Sequence, residues 1–130
     1  MLRIRKRIDI RWRDLDALGH VNNAVYLTYA EEVLDAWFRE RLDLGEGEVW
    51  DYVNARTAID FVSELRQTDV HVVGTVRLVR VGTKSVTAAI ELHARDGRLA
   101  ATIETVAVAI AGRGGRSRPV TDEERAALGR

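Results

Sequence analysis

Apolar and polar positions along the chain divide it into elements of two kinds. Ile4, Ile8 and Ile10 fall at even positions with Arg3, Arg5, Arg7 and Arg11 between them. That period of two predicts a strand over residues 3–12. Residues 13–22 lack any such period, carry Gly19 and read as a loop. From Ala24 to Leu42 the spacing changes. Tyr26, Ala30, Val33, Leu34, Trp37 and Phe38 stand at i, i+4, i+7, i+8, i+11 and i+12, one face of a helix. Glu31, Glu32 and Asp35 lie in its first half and Arg39 and Arg41 near its end, the order that a helix dipole favours. Asn22 or Asn23 can cap its start, and Gly45 and Gly47 are plausible stops.

Beyond the helix the chain is β-rich. "VNARTAIDFV" alternates weakly, and "VHVVGTVRLVRV" and "SVTAAIELHA" are joined by a tight-turn "GTK". Asp96-Gly97 marks a further hairpin before "LAATIETVAVAI". Residues 112–118, "GRGGRSR", read as a flexible basic linker between a domain spanning 1–111 and the C-terminal 112–130. Thr121 and Glu124 form a capping box that predicts a short terminal helix. One strand, one long helix and four antiparallel strands predict an α+β domain, a curved sheet wrapped around a single helix. Such a domain leaves sheet edges bare, so dimerisation is expected.

Composition narrows the function classes. At 130 residues and 46% apolar content the chain is one globular domain with a real core. Its formal net charge is zero, which gives no global pull toward nucleic acid or an anionic membrane. Eighteen of the 20 basic residues are arginine, so an anion site here would use guanidinium groups. The absence of cysteine excludes disulfides, thiolate catalysis and cysteine-ligated metal. "MLRIRKRIDI" lacks the apolar run of a signal peptide, and a cytoplasmic location is expected.

The polar chemistry is concentrated before the helix. Asp14, Asp16, Gly19, His20, Asn22 and Asn23 lie within ten residues. A helix start offers unpaired N–H groups and the positive end of a dipole, which can stabilise an oxygen that gains charge. A carboxylate nearby could attack a carbonyl carbon or activate water beside it. The commoner role of such aspartates is to cap a turn, and a lone histidine is more often a hydrogen-bonded loop residue. His71 and His93 lie in strands, no metal-ligand spacing is present, and neither Gly-x-Ser-x-Gly nor a phosphate-binding loop occurs.

The stretch "RDLDALGHVNNAVYLTYAEE" resembles the signature of hotdog-fold acyl-CoA thioesterases of the 4-hydroxybenzoyl-CoA thioesterase family. The matching residues are Asp14, Asp16, Gly19, His20, Val21, Asn22, Asn23, Tyr26, Tyr29 and Glu31. "IDFVSELRQTDV" resembles the family's second-strand segment and "RLVRVGTKSVTAAIEL" its central hairpin. The resemblance extends to about Gly112 and agrees with the element order given by periodicity.

The resemblance implies a hotdog homodimer, with a dimer of dimers expected, and active sites at the subunit interface. It implies hydrolysis of an acyl-CoA or acyl-carrier-protein thioester with no cofactor and no metal. By the same resemblance Asp16 is the catalytic carboxylate, as nucleophile or as base for water. The backbone N–H of Asn23, with that of Ala24 beside it, polarises the thioester carbonyl. His20 matches an assisting histidine of plant acyl-carrier-protein thioesterases. Those enzymes carry asparagine where this chain has Leu18, and the family's usual proline after the second strand is Glu64 here. Asp14 and Asn22 are expected to be structural. Tyr26 and Ala58, Ile59, Asp60, Phe61, Val62 and Ser63 of a partner's strand are expected to wall the acyl pocket. Arg80, Lys84, Ser85, Arg113 and Arg116, with Arg118, are candidates for the coenzyme A phosphates. A hotdog dehydratase would need a differently placed histidine and acid. A non-catalytic acyl-thioester binding module on the same fold is the alternative.

Overall fold

The computed structural model describes residues 4–129, so Arg3, the expected first residue of the opening strand, lies outside the described residues. Strand β1 (Ile4–Asp9) leads through a 3₁₀ turn (Trp12–Asp14) and a loop to helix α1 (Asn23–Arg41). Then come β2 (Tyr52–Phe61), β3 (His71–Val81), β4 (Ser85–Ala94), β5 (Leu99–Ala109) and helix α2 (Asp122–Leu128). The five strands form one antiparallel sheet in the order β1-β3-β4-β5-β2. The long helix, the sheet and the short C-terminal helix make up the hotdog arrangement that the resemblance implies.

The opening strand is shorter than its alternation suggests. Ile10 N–H still bonds to the Val70 carbonyl, but Arg11 N–H then turns to the carboxylate of Asp14 and the chain leaves the sheet. Helix α1 starts where Asn22 caps it, the Asn22 side chain accepting from Ala24 N–H at 2.9 Å. It ends before the expected glycines. Asp43 (φ 53°) supplies the left-handed residue and Leu44 N–H closes on the Arg39 carbonyl, so Gly45 and Gly47 follow the stop rather than make it.

The predicted helix face is the buried one, with Tyr29 and Arg41 added to it. It lies on the alternate residues Val72, Gly74, Val76, Leu92, Ile90, Ile103 and Ala101 of the sheet. Gly74 marks the closest approach. A Cβ there would run into the Val33 methyl Cγ2, so only glycine lets α1 settle on β3 without displacing that side chain.

Residues 112–118, expected as a linker, form a reverse turn. Ala111 N–H bonds to the Arg116 carbonyl, and Gly115 N–H to that of Gly112. Val120 and Leu128 then enter the main core. The Thr121–Glu124 capping box forms as the sequence predicts. Glu124 also receives both guanidinium arms of Arg118 at 2.7 and 3.0 Å and the Tyr52 hydroxyl at 2.9 Å.

Burial alone would raise the Glu124 pKa. The Arg118 guanidinium, the Thr121 N–H and the Tyr52 hydroxyl reverse that and bring it from 4.5 to about 2. A carboxylate depressed in the folded state stabilises above its unfolded pKa, and the gain disappears as pH falls through the folded value. Between pH 4.5 and 2 the protein should therefore lose on the order of 2–3 kcal/mol through this one group. Urea midpoints at pH 5 and pH 3 check this. Glu124→Gln should start less stable and lose less on acidification, whereas an equal acid loss in both proteins would refute the assignment.

Candidate active site

The loop before α1 is a small hairpin. Leu15 and Val21 form a β-bridge, Asp16 N–H donates to the His20 carbonyl at 2.8 Å, and Gly19 N–H returns to the Asp16 carbonyl at 3.1 Å. Gly19 takes φ 81°, the left-handed conformation that such a turn demands of glycine. Asp16 is half-buried at its base. Its Oδ1 accepts the N–H groups of Leu18 (2.9 Å) and His20 (3.4 Å), while Oδ2 has no partner among the described residues. The turn thus fixes the carboxylate through one oxygen and leaves the other available.

Asp14 is held differently. It is buried and accepts the Tyr29 hydroxyl at 2.6 Å and the Arg11 N–H at 3.0 Å, with the Arg11 guanidinium at 3.4 Å. Its backbone carbonyl takes the N–H of Asn22. Burial would raise the Asp14 pKa, but the Tyr29 hydroxyl and the Arg11 N–H and guanidinium more than offset it and hold the carboxyl below its usual value. Burial and the Asp14 hydrogen bond push the Tyr29 phenol up in turn. Asp14 therefore ties loop to helix, the structural role expected of it.

At the tip of α1, Ala24 N–H is taken by the Asn22 side chain and Val25 N–H by the Asn22 carbonyl. Asn23 N–H has no partner among the described residues. This narrows the expectation: Ala24 is not an available donor, because its proton already points into the cap. Asn23 is.

Tyr26 is buried. Its hydroxyl donates to the Ser63 carbonyl at 3.2 Å and accepts from Leu65 N–H at 3.1 Å. Burial, with the nearby charges of Glu64 and Asp69, raises its pKa despite the Leu65 bond. The phenol stays protonated and braces the segment after β2 against the helix, and only its ring remains to wall a pocket. That ring meets Phe61 edge-on at 5.1 Å.

The same brace delivers residues that sequence reasoning left unassigned. Leu65 is fully buried, and Val21 N–H bonds to its carbonyl at 2.7 Å. Its neighbours Glu64 and Arg66 reach His20: Glu64 Oε2 lies 2.7 Å and Arg66 Nη2 2.9 Å from the imidazole Nε2. The one signal in the sequence was the replacement of the usual proline by Glu64.

The remaining predicted residues divide between two places. Ala58, Ile59, Asp60 and Phe61 close β2, a sheet edge with no strand beside it among the described residues, and Val62 and Ser63 follow it, both N–H groups on the Ala100 carbonyl. Ile59 and Phe61 share the face of Ile103 and Ala101, toward α1. Ala58 and Asp60 face outward with Arg56, Arg77 and Glu91, beside a hollow of about 560 Å³ on the back of the sheet. Arg80, Lys84, Ser85, Arg113 and Arg116 gather around the β3–β4 turn and the segment after β5. They belong to the end of the sheet where β2 begins, since Tyr52 pairs with Ala109 and the Lys84 carbonyl accepts from Ala109 N–H. Helix α1 runs from the one end to the other, and its 19 residues at about 1.5 Å each span about 28 Å. Within one chain these cations therefore do not meet Asp16. Among the described residues no three His, Asp or Glu side chains gather as a metal site would require, and no helix is long and apolar enough to cross a membrane.

A family model described as "Thioesterase-like superfamily" matches residues 10–128. Among solved structures, a thioesterase from Thermus thermophilus, complexed with coenzyme A and Zn, is 35% identical. The match covers 95% of this chain and 90% of that one, with a TM-score of 0.82. A protein from Bacillus stearothermophilus described as a predicted thioesterase is 25% identical over 98% of this chain and 94% of its own, with a TM-score of 0.84. A 1,4-dihydroxy-2-naphthoyl-CoA thioesterase from Synechocystis, 17% identical over 97% and 95%, shares the fold with a TM-score of 0.81. No curated protein matches the sequence.

Proposed function

The chain belongs to the thioesterase-like superfamily, and from that premise we propose that it hydrolyses acyl-CoA thioesters as a homodimer. The observation that carries this reading is that the loop leading into α1 leaves one carboxylate oxygen unspent, on Asp16, and the first turn of α1 leaves one N–H unspent, on Asn23, among the described residues. The thioester carbonyl lies against the helix tip, and Asn23 N–H takes the charge that develops on its oxygen. Asp16 either attacks the carbonyl carbon or takes a proton from the attacking water. His20, whose own N–H is anchored on Asp16, stands beside them. Coenzyme A leaves as the thiolate, a far better leaving group than an alkoxide; in the nucleophilic route water then cleaves the anhydride formed on Asp16 and releases the acid, so one carboxylate and one donor suffice.

Geometry favours a two-fold pair joined along β2. An antiparallel β2–β2 ladder sets the start of one strand beside the end of the other. It would bring the partner copy's end of the sheet that bears Arg80, Lys84, Arg113 and Arg116 toward this chain's Asp16, whereas within one protomer the length of α1 lies between them. It would also cover Val53, Phe61 and Val62, about half-exposed along that edge. The arginines then meet the phosphates of coenzyme A as bidentate donors. Pairing of two such dimers and a cytoplasmic location complete the proposal.

The test is a panel of aliphatic and aromatic acyl-CoAs and acyl-carrier-protein thioesters mixed with the protein and a thiol reagent. Catalytic thiol release from at least one class is the expected result. Saturable binding with no release would instead favour the binding module.

A further inference from the structure

Two side chains compete for one nitrogen on His20. Nε2 lies 2.7 Å from Glu64 Oε2 and 2.9 Å from Arg66 Nη2, and that same Nη2 lies 3.0 Å from Glu64 Oε1. A ring nitrogen of neutral imidazole either carries a proton and donates or carries a lone pair and accepts. A lone pair on Nε2 would bond to Arg66 but face a carboxylate oxygen at 2.7 Å, which is repulsive. A proton on Nε2 makes a short charge-assisted bond to Glu64 and leaves Arg66 to Glu64 Oε1. The shorter contact and the sign of the charges select the second arrangement.

The backbone fixes this geometry rather than the side chains alone. Leu65 is pinned on both sides, by Val21 N–H on its carbonyl and by the Tyr26 hydroxyl on its N–H, and its side chain is fully buried. In extended chain the residues on either side of a buried one point the opposite way together. Glu64 and Arg66 are therefore presented on one side, and the bridge between His20 and Arg66 sets the imidazole against them. Arg98 holds the Glu64 carbonyl at 3.1 Å, and Asp69 caps Arg66 N–H at 2.8 Å. From the loop side, Asp16 accepts the His20 N–H.

We propose that Glu64 is a positioning residue: it holds His20 with the proton on Nε2, leaving Nδ1 as the ring's one acceptor for the thioester site. The proposal rests on the thioesterase reading for its consequence in rate, but not for the proton's location. With Nδ1 unprotonated, His20 can accept from the attacking water or orient it toward Asp16. The opposite tautomer would place a donor there instead.

The chain has three histidines, so ring nitrogen signals can be assigned by long-range ¹⁵N–¹H NMR with His20→Gln as the reference. The parent should show His20 protonated at Nε2. Glu64→Ala should shift the signals toward a mixture of tautomers. It should lower kcat roughly tenfold, part of the roughly 10²–10⁴ that a positioned acid–base group supplies, with little change in KM. Glu64→Gln, whose amide oxygen can still accept from Nε2–H, should keep the tautomer and give a kcat between the two. In the His20→Gln background, Glu64→Ala should cost nothing further. An unchanged tautomer in Glu64→Ala, or an undiminished effect of that change without His20, overturns the proposal. If the parent hydrolyses no thioester, the thioesterase reading fails, while the NMR result still decides the pairing.

Discussion

Asp16→Asn should lose about 10²–10⁴ of the acyl-CoA hydrolysis rate while keeping its fold. The structure makes this substitution a clean one. The turn uses Oδ1 of Asp16 to accept from Leu18 and His20 N–H, and an asparagine carbonyl oxygen can accept both. What disappears is the charge and basicity at Oδ2, the atom with no partner among the described residues. Asp16→Ala should reach a similar rate but also destabilise the hairpin, because Leu18 N–H loses its acceptor. A thiol-release assay with thermal unfolding of the same samples separates the two effects. Parental activity in Asp16→Asn would show that the carboxylate is a turn residue and nothing more.

Phe38→Ala should destabilise the protein by about 3–5 kcal/mol, the usual cost of removing a fully buried ring. Phe38 is completely inaccessible. Its ring stacks on Trp50 at 4.7 Å and on Tyr52 at 4.8 Å and meets Trp37 at 5.1 Å. The cavity cannot collapse easily, because the surrounding groups are tied down. Trp50 Nε1 donates to Asp35 at 2.8 Å, and the Tyr52 hydroxyl donates to Glu124. The effect should appear as a lower denaturant midpoint with an unchanged slope. A loss below about 1 kcal/mol would mean that these rings repack around the gap.

These two residues stand at opposite ends of α1 and divide its work. The C-terminal half anchors the helix through aromatic stacking beside β2 and α2. The N-terminal tip can then hold polar groups that bury little apolar surface. Such division of stability and chemistry along one rigid element is how a single helix can carry a site at its end.

Much of the architecture was readable in advance. The 3.6-residue spacing from Tyr26 to Phe38 gave the buried face of α1, because a helix must bury one continuous stripe. Asp96-Gly97 and the Thr121–Glu124 box marked a hairpin and a helix start through local chemistry that needs no tertiary partner. The ends of elements were less legible. β1 stops at Asp9 because Asp14 captures Arg11 N–H, and α1 stops at Arg41 because Asp43 adopts a conformation usually left to glycine. Neither event leaves a periodic trace.

The sequence by itself determined the order of elements, the stripe of α1 that faces the sheet, and the loop in which the polar residues gather, since each follows from spacing along one chain. Only the tertiary structure decided which of those polar atoms are free. Asp14 is spent on Tyr29, Ala24 N–H on Asn22 and the Tyr26 hydroxyl on the segment after β2, whereas Asp16 Oδ2 and Asn23 N–H are left over. It also brought Glu64 to His20 from a distant part of the chain. Hydrogen bonds between distant segments depend on how strands and helix pack in three dimensions, and no local pattern of residues encodes that.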